Sequence, residues 1–365
     1  MHFLVFINPN SGNGKSYFSV WLQCKKIFDK FDITYTIFPT LNVGSAYNTI
    51  LHMESNTLEN INVIVCISGD GTVHEIVNGL CCRGDAVKFS RIPIAIIPTG
   101  SGNALFTNME KFKHIKFDKV LNDECKSPKT NCNKIYNEEI LDNNDESEDE
   151  RKNVVSSCSR ILKKDNILVD ICQISRRSTN TSLYSFLSQS YGLFAAVDIG
   201  TEFLRSLGSA RFSFGALYNI LWKKIYKCEL YYAGSNANER LFPESIELPI
   251  PFDWIKYPHN QVLTIVASKM PYLSKTAFMF PNARVNDGLV HLFIVNANIS
   301  RIEAFEVLNA IESGTGIIES PHVTRIKTKA YRLVPITDSY ISIDGENIPC
   351  EPLQVTVFND ACCFR

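Results

Sequence analysis

The chain lacks three things: a Cys-x-x-Cys pair, an apolar run of roughly 18 residues, and a net charge of any size. The first absence excludes zinc-ribbon spacing. The 12 cysteines stand singly or as the adjacent pairs Cys81–Cys82 and Cys362–Cys363. In 365 residues, enough for two cores, no disulfide framework is needed, and reduced thiols are expected. The second absence excludes a membrane-spanning helix, and the opening residues carry neither the charged nor the apolar region of a secretory leader. A soluble cytoplasmic protein is the expectation. The third, a formal charge of -1 from 37 basic and 38 acidic residues, removes the global basic field that would suit nucleic acid. Contact with a membrane surface stays open, because a local apolar patch suffices for it. The oligomeric state is not legible.

What is present in the first 105 residues is an alternation of strand and helix patterns. "HFLVFIN", "ITYTIFPT", "NVIVCISGD" and "IPIAIIPTG" read as strands, with helices expected over 14–30 and from Thr72 to Leu80. Strands that end in glycine-rich turns and open into helices predict a parallel sheet. In such sheets ligands bind at the carboxyl ends of the strands. The stretch 107–160, with "NEEILDNNDESEDERK", is acidic and poor in apolar residues, and reads as an exposed, partly disordered insertion. From about Asn166 the texture turns to β: "NILVDICQI", "CELYYAG", "QVLTIVAS", "LVHLFIVNA", "YRLVPI", "YISIDG" and "LQVTVF", with helices expected over 213–226 and 301–313. The predicted architecture is a Rossmann-like α/β domain over 1–163, holding the 107–160 insertion, followed by a β-sandwich domain over 164–365.

Three strand-end turns could carry chemistry. "NPNSGNGKS", Asn8 to Ser16, ends like a Walker A loop, but the opening glycine of that motif is replaced by Pro9, which has a fixed φ and no N–H to offer a phosphate. Lys15 then faces solvent or touches a phosphate from the periphery. "SGDGTVHEIVNGL", Ser68 to Leu80, puts Asp70 between Gly69 and Gly71, whose lack of Cβ allows close approach of a ligand. A helix N-terminus follows, as a phosphate requires. A carboxylate there either accepts a proton or holds Mg²⁺, or it simply caps the helix in an Asx-turn. "PTGSGNAL" exposes the N–H groups of Gly100, Ser101 and Gly102 as an anion nest. Two such turns, with Asn8-Pro9-Asn10 on a third strand end, favour a phosphate cradle. "HEIVN" is not a zinc protease motif, because Asn78 stands where the second histidine is needed. Glu75 is a polar group near the nucleotide or a first-turn acid favoured by the helix dipole.

The turns "SGDGTVHEIVNGL" and "PTGSGNAL" resemble the catalytic domain shared by diacylglycerol kinases and sphingosine kinases. The likeness continues through Ser185–Gly215, Asp287–Val295 and Ile341–Ile348, and Asn103-Ala104 in the second turn is similar to the sphingosine kinases. The resemblance implies ATP and Mg²⁺ as cofactors and a lipid substrate, with Asp70 as the general base acting on a primary hydroxyl. It implies nucleotide contacts at Asn8, Pro9, Asn10, Thr40, Gly71, Glu75, Gly100, Ser101, Gly102, Arg205, Arg211, Asp344, Gly345 and Glu346. Substrate contacts would be Ser68, Gly69, Asp70, Gly71, Ser188 and Asp198. The acyl or sphingoid tail would lie along Leu193, Phe194, Val197, Phe212, Val307, Leu308 and Ile311. Asp287-Gly288 resembles a structural Mg²⁺ loop of bacterial diacylglycerol kinases.

Asp198 separates the candidate lipids. It is an acid inside the apolar "FAAVDIG", and a buried unpaired carboxylate is costly. The ammonium of a sphingoid base would pair with it, whereas diacylglycerol and ceramide have no cation there. Pairing with Arg205 or Arg211 is the structural alternative. The expected activity is phosphorylation of sphingosine or a related long-chain base by an enzyme that visits membranes peripherally. The alternatives are a diacylglycerol, acylglycerol or ceramide kinase, or a silent nucleotide or lipid sensor. An NAD kinase would share Gly-Asp-Gly-Thr without explaining Asp198.

Overall fold

A computed structural model describes residues 1–11, 16–100, 102–111, 148–200, 215, 219–222, 224–315 and 318–365. They divide into two compact units, Met1–Ile167 with Cys363–Arg365, and Leu168–Cys362.

The first unit is built on strands β1 (His2–Ile7), β2 (Thr34–Pro39), β3 (Val63–Ser68) and β4 (Ile94–Pro98). They pair in parallel in the order β2-β1-β3-β4. β3 is buried along its whole length, as its unbroken run of Val, Ile and Cys requires of a strand covered on both faces. Helix α1 (Ser16–Lys30) places Val20, Trp21, Cys24, Ile27 and Phe28 on one stripe against Phe3, Val5, Val63 and Val65. Helix α2 (Ser45–His52) is followed by the short α3 (Ser55–Glu59). Helix α4 (Asp70–Cys81) lies so close to α2 that a Cβ on Gly79 would stand 2.8 Å from Ile50 Cβ and 3.0 Å from the Tyr47 carbonyl. A short α5 (Ala86–Phe89) precedes β4, and helix α6 (residues 104–111) follows it.

The last part of the stretch 107–160, expected to be an exposed insertion, is helix. Residues Glu148–Lys163 form helix α7, whose Val154, Cys158 and Ile161 are fully buried in the same cluster as α1. Spacings of four and three residues put these side chains on one helical face. The acidic "EDERK" ahead of them masked that face in an averaged composition.

The second unit is built of strands that pair antiparallel in two runs. Its strands are β5 (Ile167–Arg176), β6 (Thr179–Ser185), β7 (Ser188–Gly192), β8 (Tyr226–Ala233), β9 (Trp254–Lys256), β10 (Gln261–Ser268), β11 (Val290–Asn296), β12 (Val323–Thr328), β13 (Ala330–Pro335), β14 (Ile341–Ile343), β15 (Glu346–Ile348) and β16 (Leu353–Phe364). One run of pairings is β15-β14-β7-β10-β11-β12, and a second joins β9, β8, β13 and β16. Their inner faces share a core that includes Tyr191, Tyr226, Tyr331, Ile265 and Leu292. Helices α8 (Leu193–Gly200) and α9 (Arg301–Glu312) cover a separate apolar cluster. The helix expected over 213–226 cannot run to its end, because Tyr226 opens β8. β6 and β7, "TNTSLYS" and "SQSYG", carry no apolar alternation, and the sheet's hydrogen bonds rather than local pattern make them strands.

Candidate active site

The strand order of the first unit reverses between β1 and β3, and ligands of open α/β sheets bind beyond the strand ends at such a switch point. The strand-end turns are tied in series there. Thr40 N–H donates to the Ile7 carbonyl at 2.8 Å, Asn8 N–H to Ile67 at 3.1 Å and Thr99 N–H to Ser68 at 3.1 Å. The hydroxyls of Ser11 and Thr99, both buried, form a short hydrogen bond across the turns. Asn8 Oδ1 accepts from Asn10 N–H at 2.9 Å and so holds the Asn8-Pro9-Asn10 turn.

The two glycine turns meet at backbone contact. A Cβ on Gly100 would stand 2.6 Å from Gly69 Cα, and one on Gly69 would stand 3.2 Å from Gly100 Cα. Asn103, at φ 46, bridges the second turn from within: its side chain accepts from Gly100 N–H and donates to the Gly100 carbonyl. Asp70 is the first residue of α4. Its two oxygens accept from Ala104 N–H at 2.8 Å and Leu105 N–H at 2.9 Å, at the start of α6. The positive ends of two helices therefore meet at one carboxylate, a field that favours anions. Ser68 and Thr72 hydroxyls bond at 2.5 Å beside it.

Glu75 is engaged elsewhere. Its carboxylate accepts from the N–H groups of Gly44, Ala46 and Tyr47 at 2.8, 2.9 and 3.3 Å, which caps α2. The His74 carbonyl accepts from the Asn78 amide, in keeping with the absence of a zinc motif.

In the second unit, Asp344 and Gly345 are the two turn residues of the β14–β15 hairpin, at φ 51 and φ 91. Both angles positive is the turn that matches strand twist, and Asp-Gly suits it. Asp344 is 3 % exposed. It accepts from the Ser185 hydroxyl at 2.7 Å and from the N–H groups of Phe186, Leu187 and Ser188. Glu346 is exposed at the start of β15. Asp198, half-buried on α8, accepts from the Ser342 hydroxyl at 2.6 Å. The structure thus gathers Ser188, Asp198, Ser342 and Asp344 around β7, β14 and α8. Leu193, Phe194, Val197, Val307, Leu308 and Ile311 pack in the one cluster between α8, α9 and the β10–β11 face. Ser101, Arg205, Arg211 and Phe212 lie outside the described residues, and so does Lys15.

Asp287 does not stand open to a metal ion. Lys269 Nζ lies 3.1 Å from Asp287 Oδ1, and His291 Nε2 lies 2.8 Å from Oδ2. The cation facing this loop is the chain's own ammonium, which does not fit a structural Mg²⁺ bound there. Burial pushes the Asp287 carboxyl up, but the His291 hydrogen bond, the Lys269 charge and the Leu289 N–H outweigh it and hold it at about 2.

Reading from sequence missed Thr99, Ser11, Ser342 and Lys269. The first three carry only hydroxyls, which are common along the chain and mark no motif. Lys269 was legible in principle as a lysine directly after the buried strand "QVLTIVAS".

A parallel sheet whose switch point holds two abutting glycine turns, two helix N-termini and one carboxylate belongs to the phosphate-handling class of α/β domains. Residues 2–131 match the diacylglycerol kinase catalytic domain, and residues 190–362 match the YegS C-terminal NAD kinase beta sandwich-like domain. The chain belongs to the lipid kinase family that unites diacylglycerol kinases and sphingosine kinases. It is 27% identical to sphingosine kinase 1 of Mus musculus over 369 residues, covering 96% of this chain and 87% of that protein. It is 26% identical to sphingoid long chain base kinase 5 of Saccharomyces cerevisiae, covering 98% of this chain and 58% of that one. A solved diacylglycerol kinase structure from Bacillus anthracis shares the fold, with a TM-score of 0.63 at 15% identity, over 100% of this chain and 96% of that one.

Proposed function

We propose that the protein transfers the γ-phosphate of ATP to the primary hydroxyl of sphingosine or a related long-chain base. The observation that carries this reading is Asp198. It is an acid on an otherwise apolar helix, oriented by Ser342 and set beside the cluster of Leu193, Val197, Val307 and Ile311. A sphingoid base offers an ammonium near its hydroxyls and a long tail, and the pair matches a carboxylate beside an apolar cluster. The names of the mouse and yeast relatives support the same substrate class.

In this mechanism the turns after β1, β3 and β4 hold the phosphates through backbone N–H groups and helix ends. Mg²⁺ arrives with ATP and neutralises charge on its phosphates. Asp70, fixed by the Ala104 and Leu105 N–H groups, accepts the hydroxyl proton as the oxygen attacks the γ-phosphorus, and the bond from that phosphorus to the β–γ bridging oxygen breaks to release ADP. Phosphoryl transfer asks mainly for positioning and charge stabilisation, and rigid turns provide both. Asn8, Pro9, Asn10, Thr40, Gly71, Gly102 and the Gly345-Glu346 turn are nucleotide contacts in this reading, with Ser68, Gly69 and Ser188 on the substrate.

The enzyme works in the cytosol and meets its substrate at a membrane surface. The described cysteines are all free thiols, as a reducing compartment keeps them, and no described helix is long and apolar enough to cross a membrane. Leu221, Trp222, Ile302 and Phe305 are exposed apolar side chains. Arg301 joins their two stretches by donating to the Leu221 carbonyl. With Lys224 nearby, they suit an anionic bilayer.

The test is transfer of labelled phosphate from ATP to sphingosine, ceramide and diacylglycerol, with wild type and Asp198→Asn. Transfer to sphingosine that falls at least tenfold in the variant is expected. Equal transfer to an amine-free lipid, untouched by the substitution, would assign the chain to diacylglycerol or ceramide and leave Asp198 a scaffold role. Transfer to none of them would leave the sensor reading.

A further inference from the structure

The chain passes from the first unit to the second between Ile167 and Leu168 and returns between Cys362 and Cys363. One side chain joins the two strands beside these passages, β5 and β16. Asp170, just after the first, accepts from the N–H of Asp360, just before the second, at 2.8 Å. Asp170 is 1 % exposed, and its other oxygen accepts from Gly288 N–H at 2.8 Å. Asp360, inside β16, and Gly288, in the loop before β11, both stand at positive φ, 48 and 71, and their N–H groups reach Asp170 from these bent positions.

Such a carboxylate needs a counter-charge. Lys269 supplies it from the end of β10. Its side chain is wholly buried, with Nζ 3.1 Å from Asp170 Oδ2 and 3.1 Å from Asp287 Oδ1, and it donates a short hydrogen bond to the Leu289 carbonyl. An ammonium has three donors, and three oxygens receive them. Two carboxylates and a backbone carbonyl around one buried positive charge are also the donor set of a hard divalent cation. His291 stands behind Asp287 and orients it, as a second layer around a metal would.

We propose that Lys269 is a tethered cation filling what is otherwise a divalent-cation site, and that through Asp170 it holds β5 to β16 within the second unit. A site of this kind needs no metal while the lysine is present. It acquires one when the ammonium is removed, because the buried Asp170 carboxylate and the half-buried Asp287 carboxylate then face each other across a carbonyl with nothing between them.

The experiment compares wild type, Asp287→Asn, Lys269→Ala and Lys269→Ala/Asp287→Asn, without nucleotide. Melting temperature is read in MnCl₂, in MgCl₂ and in NaCl of matched ionic strength, and Mn²⁺ binding is read by electron paramagnetic resonance. Wild type should melt alike in all three salts. Lys269→Ala should melt lower by roughly 10 °C, recover at least half of that in Mn²⁺, and bind one more Mn²⁺ than the double variant. The double variant should recover nothing. If Lys269→Ala does not accumulate as soluble protein, the readout becomes soluble yield with Mn²⁺ in the growth medium, and a rise in yield absent from the double variant is expected. The proposal is overturned if Lys269→Ala responds to Mn²⁺ no more than the double variant in either readout. It is equally overturned if the wild type binds an Mn²⁺ that Asp287→Asn loses. The reading of the lipid substrate is untouched by any of these outcomes.

Discussion

A single methyl group added at Gly100 tests whether the two glycine turns form one rigid cradle. The Cβ of Gly100→Ala would stand 2.6 Å from Gly69 Cα, 3.2 Å from Gly69 N and 3.1 Å from Asn103 Oδ1. Carbon atoms rest comfortably at about 3.5 to 4.0 Å, so one turn must move by about 1 Å. Both neighbours at Gly69 are backbone, and no side-chain rotation relieves the clash. A shift of about 1 Å at a reacting centre costs roughly 10²-fold in rate. Overpacking of this kind costs about 1–3 kcal/mol, which for a unit of this size lowers Tm by about 2–12 °C. Gly100 is not at positive φ, so the effect is steric contact alone. Gly84→Ala is the control, with nothing within 4 Å of its Cβ. Gly102→Ala is the intermediate case, since its Cβ meets Asp70 Oδ2 at an ordinary 3.4 Å and its N–H survives. The assay is steady-state transfer of labelled phosphate to lipid, with a melting curve for each variant. The expected order is Gly84→Ala equal to wild type, Gly102→Ala within a few-fold, and Gly100→Ala reduced about 100-fold. Turnover by Gly100→Ala at the wild-type rate would refute the idea that abutment of these turns positions the phosphates.

Asp70→Asn should reduce turnover by about 10³-fold while nucleotide binding persists, read by single-turnover transfer beside equilibrium ATP binding; retained turnover would remove Asp70 from the chemistry. Glu75→Gln should act on folding: loss of the α2 cap lowers stability by about 1–2 kcal/mol with little change in KM for ATP, whereas a raised KM at unchanged Tm would make Glu75 a nucleotide contact. Asp287 sets an acid limit. Its folded pKa of about 2 lies below the ordinary 3.8, so its contribution is complete above the unfolded value and is lost as pH falls from about 4 toward 2, amounting to about 2 kcal/mol. Melting curves of wild type and Asp287→Asn should therefore converge as pH falls through that window, and a constant gap would refute the assignment.

The parallel sheet was legible because β1, β3 and β4 are continuous apolar runs that end in glycine turns, and only a strand covered on both faces tolerates such runs. The positions of Asp70 and the Gly100 turn at strand ends were legible for the same reason, since they stand where the apolar pattern breaks. Helix α7 was obscured because its buried stripe of Val154, Cys158 and Ile161 adjoins an acidic run. β6 and β7 could not be read at all: neither has an apolar alternation, and β6 becomes strand through its hairpin with β5 while β7 does so through β10 and β14, distant in the chain. The engagement of Glu75 with α2, and of Asp344 with the Ser185–Ser188 turn, depends on tertiary contacts that no local spacing encodes. A motif says which residues stand together in sequence, and the fold decides which of them face a ligand and which hold the frame.

The last strand sets a schedule for synthesis. Phe364 pairs in parallel with Ile94 beside β4, and Arg365 donates from its backbone to the Ile94 carbonyl and from its side chain to Asn166. The first unit is thus closed by residues translated after the whole of the second. At roughly 5 to 20 residues per second, the ribosome takes about 10 to 40 s to supply them once Ile167 has been made. Throughout that interval β4 waits with one edge bare, a template for any passing strand. A fragment ending near Ile167 would lack the residues that pair with that edge.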